Sequence, residues 1–314
     1  MTETLAIAAS VANITFPIAA LVALGYICVR TDYISAQAIP HLSQFASRVA
    51  LPAALFLVIA TQQISTVLDP DFLIVYGSAT IACAAVLFVC LMLIGQGVLR
   101  SSLGLLGGLC CNCMMVGLPI TILLFDPATA AVMAIVSFFQ DVLLLPVVLV
   151  IADSAAGNNW RKTLWRTIGK TMKNPFIIAI LAALVVSASG TTLPVAGLRV
   201  VELLAAALAG AGLFMIGGLL AKTRLSTMSW SFLPVVTTKL LLHPAIVAFA
   251  FWMFPIQNES FMLAAVLAAS LPTISLYPVI SAQYVDAESA ATAMFVSTVA
   301  SFFTITAIAV LLIH

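Results

Sequence analysis

Few side chains in this chain can do chemistry, and most of those lie inside apolar stretches. Asn112 sits in the middle of residues 103–125 (LGLLGGLCCNCMMVGLPITILLF), among Cys110, Cys111 and Cys113 and ahead of Gly117-Leu118-Pro119. Gln140 and Asp141 interrupt IVSFFQDVLLLPVVL, and Lys239 and His243 stand four apart in TTKLLLHPAIV. Leu271-Pro272-Thr273 interrupts FMLAAVLAASLPTISLYPVISAQY. Polar groups at bilayer depth are costly unless a partner or a cavity satisfies them, so each is by default a functional candidate. The chemistry they suit is the binding and passage of a small charged solute. An intramembrane enzyme would need acidic metal motifs near an interface, and no DDxxD-like or HExxH-like cluster occurs. The six cysteines fall in apolar segments and read as small packing residues. Neighbours one and two apart on a helix point in different directions, and no second Cys or His cluster completes a tetrahedral metal set.

The elements that must position these residues are membrane spans. The chain has 314 residues, of which 63% are hydrophobic and 7% charged, with a net charge of +1. Globular domains carry about 25% charged residues. The charge balance offers no basic surface for nucleic acid. Residues 1–7 lack the positive n-region of a cleavable signal peptide. At about 20–25 residues per span the length accommodates roughly ten. They are expected at 8–29, 36–61, 71–95, 103–125, 128–152, 174–189, 195–221, 231–255, 260–284 and 287–313, the sixth being short enough to start earlier, near Met172, or to sit obliquely. The one long polar connection, 153–173, divides the chain into a first five-helix repeat (1–153), a cytoplasmic linker (154–173) and a second five-helix repeat (174–314).

Orientation follows from the Lys/Arg bias of the loops. Arg30, Arg100, Arg161, Lys162, Arg166, Lys170, Lys173, Lys222 and Arg224 fall on one side and Arg199 alone on the other, while Arg48 and Lys239 lie within spans. The basic side is cytoplasmic, so both termini face outward. Five spans per half make the second half enter the membrane in the opposite sense, as in inverted-repeat transporters. A sequence echo supports this: DPATAA at 126–131 leading to Val136-Ser137 matches DAESAA at 286–291 leading to Val296-Ser297, at a constant offset of 160. That offset places Asn112 opposite Pro272, or Thr273 with one residue of slippage.

Pro272 cannot sit in a continuous helix without freeing a carbonyl. Asn and Thr favour helix caps, and Pro favours the first turn. Asn112 is therefore expected to cap a half-helix starting near Cys113, and Thr273 to begin one after Leu271. Two half-helix N-termini meeting at mid-membrane would bind an anion through unpaired N–H groups and positive dipole ends, without Lys or Arg. Pro119 and Pro278 are further helix-break candidates, Pro119 secondary because the break falls a turn earlier. The candidate substrate-binding residues are Asn112, Cys113, Pro272, Thr273 and Gln140, with Asp141, Lys239, Ser137 and Ser297 as coupling or supporting groups. Asp141 is either a proton or ion site or the partner of Lys239 in an ion pair, and Lys239 could alternatively snorkel to the interface. Arg48 reads as an interfacial or helix-pair charge. The small residues Gly210, Gly212, Gly217 and Gly218 make the seventh span a packing or sliding surface.

The chain resembles the auxin efflux carrier family over essentially its whole length. The resemblance is carried by NCMMVGLP at 112–119 and Leu271-Pro272-Thr273, and more weakly by Asn174-Pro175, Lys239 with Pro244, and Asp286 with Ser289. It implies an all-α membrane fold of two inverted five-helix repeats, similar to bile acid sodium symporters, with helices four and nine broken and crossing at the substrate. Spans one, two, six and seven would form a scaffold, able to pair in a homodimer, and the rest an elevator-type transport domain. The asparagine matching Asn112 contributes to substrate binding in plant relatives. Two departures stand out. Cys111 replaces the proline that commonly precedes that asparagine, and the third-span stretch FLIVYGSATIACAAVLFVCLMLI (72–94) has no Asp, Glu, Lys, Arg or His, only Tyr76 and two thiols, where plant exporters carry a charged pair. The expectation is a non-enzymatic secondary transporter of a malonate- or auxin-like organic anion in a bacterial inner membrane, embedded in lipid, without cofactor, coupled to H+ or alternatively Na+.

Overall fold

The computed structural model describes residues 16–17, 19–62, 69–125, 127–191, 193–222, 230–285 and 288–312. Among them the structure is helical, and the only extended pairing is one isolated bridge. The helices are α1 (Ala19–Arg30), α2 (Ala38–Ala60), α3 (Pro70–Leu93), α4 (Gly97–Leu109), α5 (Leu118–Leu124), α6 (Thr129–Ala155) and α7 (Trp160–Met172). There follow α8 (Pro175–Ser189), α9 (Val195–Lys222), α10 (Trp230–Met253), α11 (Glu259–Ser270), α12 (Tyr277–Ser281) and α13 (Glu288–Leu312).

Six of these, α2, α3, α6, α9, α10 and α13, are long and apolar enough to cross a membrane, and α7 with α8, bent by 56°, would make a seventh if the pair is one span. The expected spans 103–125 and 260–284 are each divided into two short helices, so neither is a single element of membrane length. The expected span 8–29 begins outside the described residues. So do Asp126, Asp286, Ala287 and Arg224, and with them part of the sequence echo and of the charge bias.

Local chemistry sets the helix starts. Asp69, Asn159, Asn174 and Asn258 each accept from backbone N–H groups of the first turn, and Pro70 and Pro175 occupy first-turn positions that need no donor. Helix α8 therefore begins at Pro175, just after α7 ends at Met172. Gly190, at φ 62°, closes α8 in the left-handed conformation. The 154–173 linker is largely helical. In α7, Trp165, Ile168 and Met172 are exposed, while Lys162, Arg166 and Lys170 recur every fourth residue on another face. This division suits the membrane–water interface. Thr163 donates to the Asp153 carboxylate, tying α7 to the end of α6.

Prolines inside spans produce a recurrent device. The π-helical turns Ala46–Ala50, Cys113–Gly117, Gln140–Leu144 and Thr238–Leu242 each end two residues before a proline: Pro52, Pro119, Pro146 and Pro244. Proline lacks an N–H and its ring repels the carbonyl four residues back. The chain absorbs this by widening one turn. Leu51, Leu118, Leu145 and His243 each donate to the carbonyl five residues earlier. Such turns are frequent at functional sites. These four carry Arg48, Cys113, Gln140 with Asp141, and Lys239.

Packing divides the helices. The second half of α2 lies against α8 and α9, whereas α3 packs on α4 and α10, α4 on the end of α6, and α11 on α10 and the start of α6. At the α1–α9 contact the backbones nearly touch. A Cβ on Gly25 would lie 1.9 Å from the Phe214 carbonyl oxygen, and one on Gly217 would lie 1.9 Å from that of Val22. Gly218 packs against Ile39, but Gly210 has nothing within 4 Å. Only part of the expected glycine surface is therefore a packing face.

Candidate functional site

The helix breaks meet. α4 stops at Leu109, and Cys110 is extended (φ −73°, ψ 123°); α11 stops at Ser270, and Leu271 is extended (φ −64°, ψ 157°). Between them Cys111 and Thr273 form an antiparallel bridge. Asn112 N donates to the Pro272 carbonyl at 2.9 Å, and Ile274 N to the Cys110 carbonyl at 3.0 Å. Backbone groups that a broken helix would strand in hydrocarbon are thus satisfied by the other break. Pro272 loses nothing here, since its carbonyl is the group that pairs.

Side chains from neighbouring helices complete the accounting. Gln140 Oε1 accepts from Cys111 N at 3.2 Å, and its Nε2 donates to the Leu109 carbonyl (3.4 Å) and to Cys111 Sγ (3.1 Å). Lys239 is fully buried and its Nζ donates to the same Leu109 carbonyl at 3.2 Å. A cation at the carbonyl end of a helix is favourably placed against the macrodipole. Thr273 Oγ1 donates to the Gly107 carbonyl at 2.8 Å, and Thr273 N to Ser297 Oγ at 3.2 Å. His243 pairs with Thr80 at 3.4 Å.

One side of the crossing opens into a cavity of about 340 Å³. Cys111, Asn112, Cys113, Met114 and Met115 line it from the first break, and Ile274, Ser275 and Leu276 from the second. Ser137, Gln140 and Asp141 line it from α6, Ser43 and Ser47 from α2, and Met215 and Leu219 from α9. Thr171 and Asn174 reach it from the α7–α8 bend. Among the described residues, no Lys or Arg is in the lining.

Three expectations are corrected. Asn112 occupies the cap position but its side chain makes no cap bond; Nδ2 donates instead to Ser275 Oγ at 3.2 Å. The first ladder bonds run from Val116 and Gly117 to the Asn112 carbonyl. The N–H groups of Cys113, Met114 and Met115 precede them, as the first donors of any helix do. Thr273 does not open a half-helix: the chain turns through Ser275 and Leu276 before α12, and the hydroxyl is engaged behind the crossing. Lys239 neither snorkels nor pairs with Asp141; it is buried on Leu109, while Asp141 is half-buried on the cavity wall.

The predicted residues thus fall into two groups. Asn112, Cys113, Gln140, Asp141 and Ser137 border the cavity. Pro272, Thr273, Lys239, Ser297, Pro119 and Pro278 lie outside its lining and shape the elements around it. Sequence reasoning missed Ser275, the partner of Asn112, and the lining serines of α2. Asn174-Pro175 was a visible signal for the α8 contribution.

A multi-pass helical membrane protein with a cavity at two crossed helix breaks belongs among membrane transport proteins. Residues 11–309 match the membrane transport protein family, and the chain belongs to that family, the auxin efflux carriers. Among curated proteins it is similar to one from Rhizobium meliloti (strain 1021) named "Putative malonate transporter", with 26% identity over 303 residues, covering 95% of this chain and 94% of the relative.

Proposed function

We propose that this protein is a secondary active transporter of a small organic anion, a compact mono- or dicarboxylate of the malonate kind, working in a bacterial inner membrane with both termini outward. The observation that carries the reading is the first break. The Asn112 amide and the leading N–H groups of the Cys113–Gly117 turn sit at a positive helix end beside a cavity of about 340 Å³. Such a site holds a carboxylate without a cationic side chain and releases it more readily than an ion pair would. The name of the R. meliloti relative supports the substrate class.

Movement is elevator-like alternating access by two inverted five-helix repeats. The close packing of α2 with α8 and α9, with the first break lying against α9, supports a scaffold against which the crossed breaks move. Asp141 is the proton-coupling group, the carboxylate on the wall of the same cavity. Its setting beside Ser137 and Gln140 also offers oxygen donors that suit sodium, so bile acid-type sodium symport is the second reading. A thermal-shift screen of malonate and other carboxylates, with pH and sodium varied, tests both. Stabilisation by a carboxylate that disappears in Asn112→Ala is expected, and no stabilisation by any carboxylate overturns the proposal. Stabilisation that requires sodium favours the second reading.

A further inference from the structure

Cys111 and Cys113 flank Asn112, and their Sγ atoms lie 2.7 Å apart. On a regular helix two such residues would point in different directions. They converge here because Cys111 belongs to the extended bridge while Cys113 begins the π-helical turn. Both are free thiols and both border the cavity. Cys110 is turned away into a separate apolar cluster with Leu87 and Leu106. Gln140 Nε2, 3.1 Å from Cys111 Sγ, holds that sulfur in place.

We propose that Cys111 and Cys113 are a dithiol redox site, which a small peroxide entering the cavity converts to an intrachain disulfide that arrests the transporter. One sulfur, giving up its proton, attacks a peroxide oxygen; the O–O bond breaks, water leaves and a sulfenic acid remains. The second thiol attacks that sulfur, the S–O bond breaks and a second water departs with its proton. Two electrons pass from the sulfur pair to peroxide, and two thiols plus hydrogen peroxide become one disulfide plus two waters. A dithiol reductant reverses the change by exchange. The new ring closes through the backbone of Asn112 and clamps the residue that faces the substrate cavity.

The effect on uptake rests on the transport reading, whereas disulfide formation does not. The test treats the purified full-length protein with hydrogen peroxide, unfolds it in denaturant, alkylates it with iodoacetamide and maps the peptide spanning 103–125 by mass spectrometry. The expected peptide lacks two hydrogens, with Cys110 alkylated and Cys111 and Cys113 protected, and dithiothreitol restores both alkylation sites. In proteoliposomes, peroxide is expected to lower malonate uptake about tenfold or more, reversibly. The Cys28→Ser/Cys90→Ser double variant behaves identically. Full alkylation of Cys111 and Cys113 after peroxide, or a bridge to Cys110, overturns the site. A mapped disulfide with unchanged uptake overturns the arrest. Absence of malonate uptake before peroxide counts against the transport reading, and the peptide map still decides the dithiol site.

Discussion

Cys111 and Thr273 face each other across the crossing of two broken helices, and the Thr273 hydroxyl reaches past the bridge to the Gly107 carbonyl at 2.8 Å. One residue thereby closes the bridge and satisfies the last turn of α4, where the absence of a Cβ on Gly107 leaves room for Tyr277 and Val235.

Thr273→Val keeps the shape of this contact and removes its donor, leaving a buried carbonyl without that partner. The expected cost is about 1–3 kcal/mol, read as a lowered melting temperature in detergent, with Thr273→Ser close to wild type. Equal melting of all three proteins would refute a latch role for Thr273.

Asn112→Ala should separate binding from folding. The Asn112–Ser275 bond is exposed to the cavity, so its loss costs under about 1 kcal/mol of stability. Carboxylate-induced stabilisation and uptake should fall about tenfold or more, since each ~1.4 kcal/mol of lost contact is tenfold in affinity. Wild-type uptake by a monodisperse variant is the contrary result.

Asp141→Asn bears on coupling. Under an imposed proton gradient the variant should equilibrate substrate without concentrating it, as a proton carrier on the cavity wall requires. Accumulation that persists at the wild-type level shows that the coupling group lies elsewhere.

The α1–α9 contact gives a prediction independent of transport. Gly217→Ala and Gly25→Ala place a methyl group 1.9 Å from a backbone oxygen, which rotamer changes cannot relieve. Each should cost about 1–3 kcal/mol or more. Gly210→Ala, with nothing within 4 Å, should melt no lower than wild type.

Much of this was legible in the residues because it depends on neighbours along the chain. Hydropathy over some twenty residues marks a span, and prolines mark where a helix must break. Asn112 and Pro272 were therefore visible as breaks, and their rough equivalence followed from the offset of 160. What each break does with its backbone was not visible. Asn112 was expected to cap its own helix, and Lys239 to pair with a carboxylate or reach the interface. In the fold, Asn112 turns to Ser275 and Lys239 turns to Leu109, 130 residues away. The physical reason is the same in both cases. Local sequence tells where backbone donors and acceptors are stranded, but their partners are set by which segments cross. That crossing also brings Cys111 and Cys113 together, where helical spacing alone would have kept them apart.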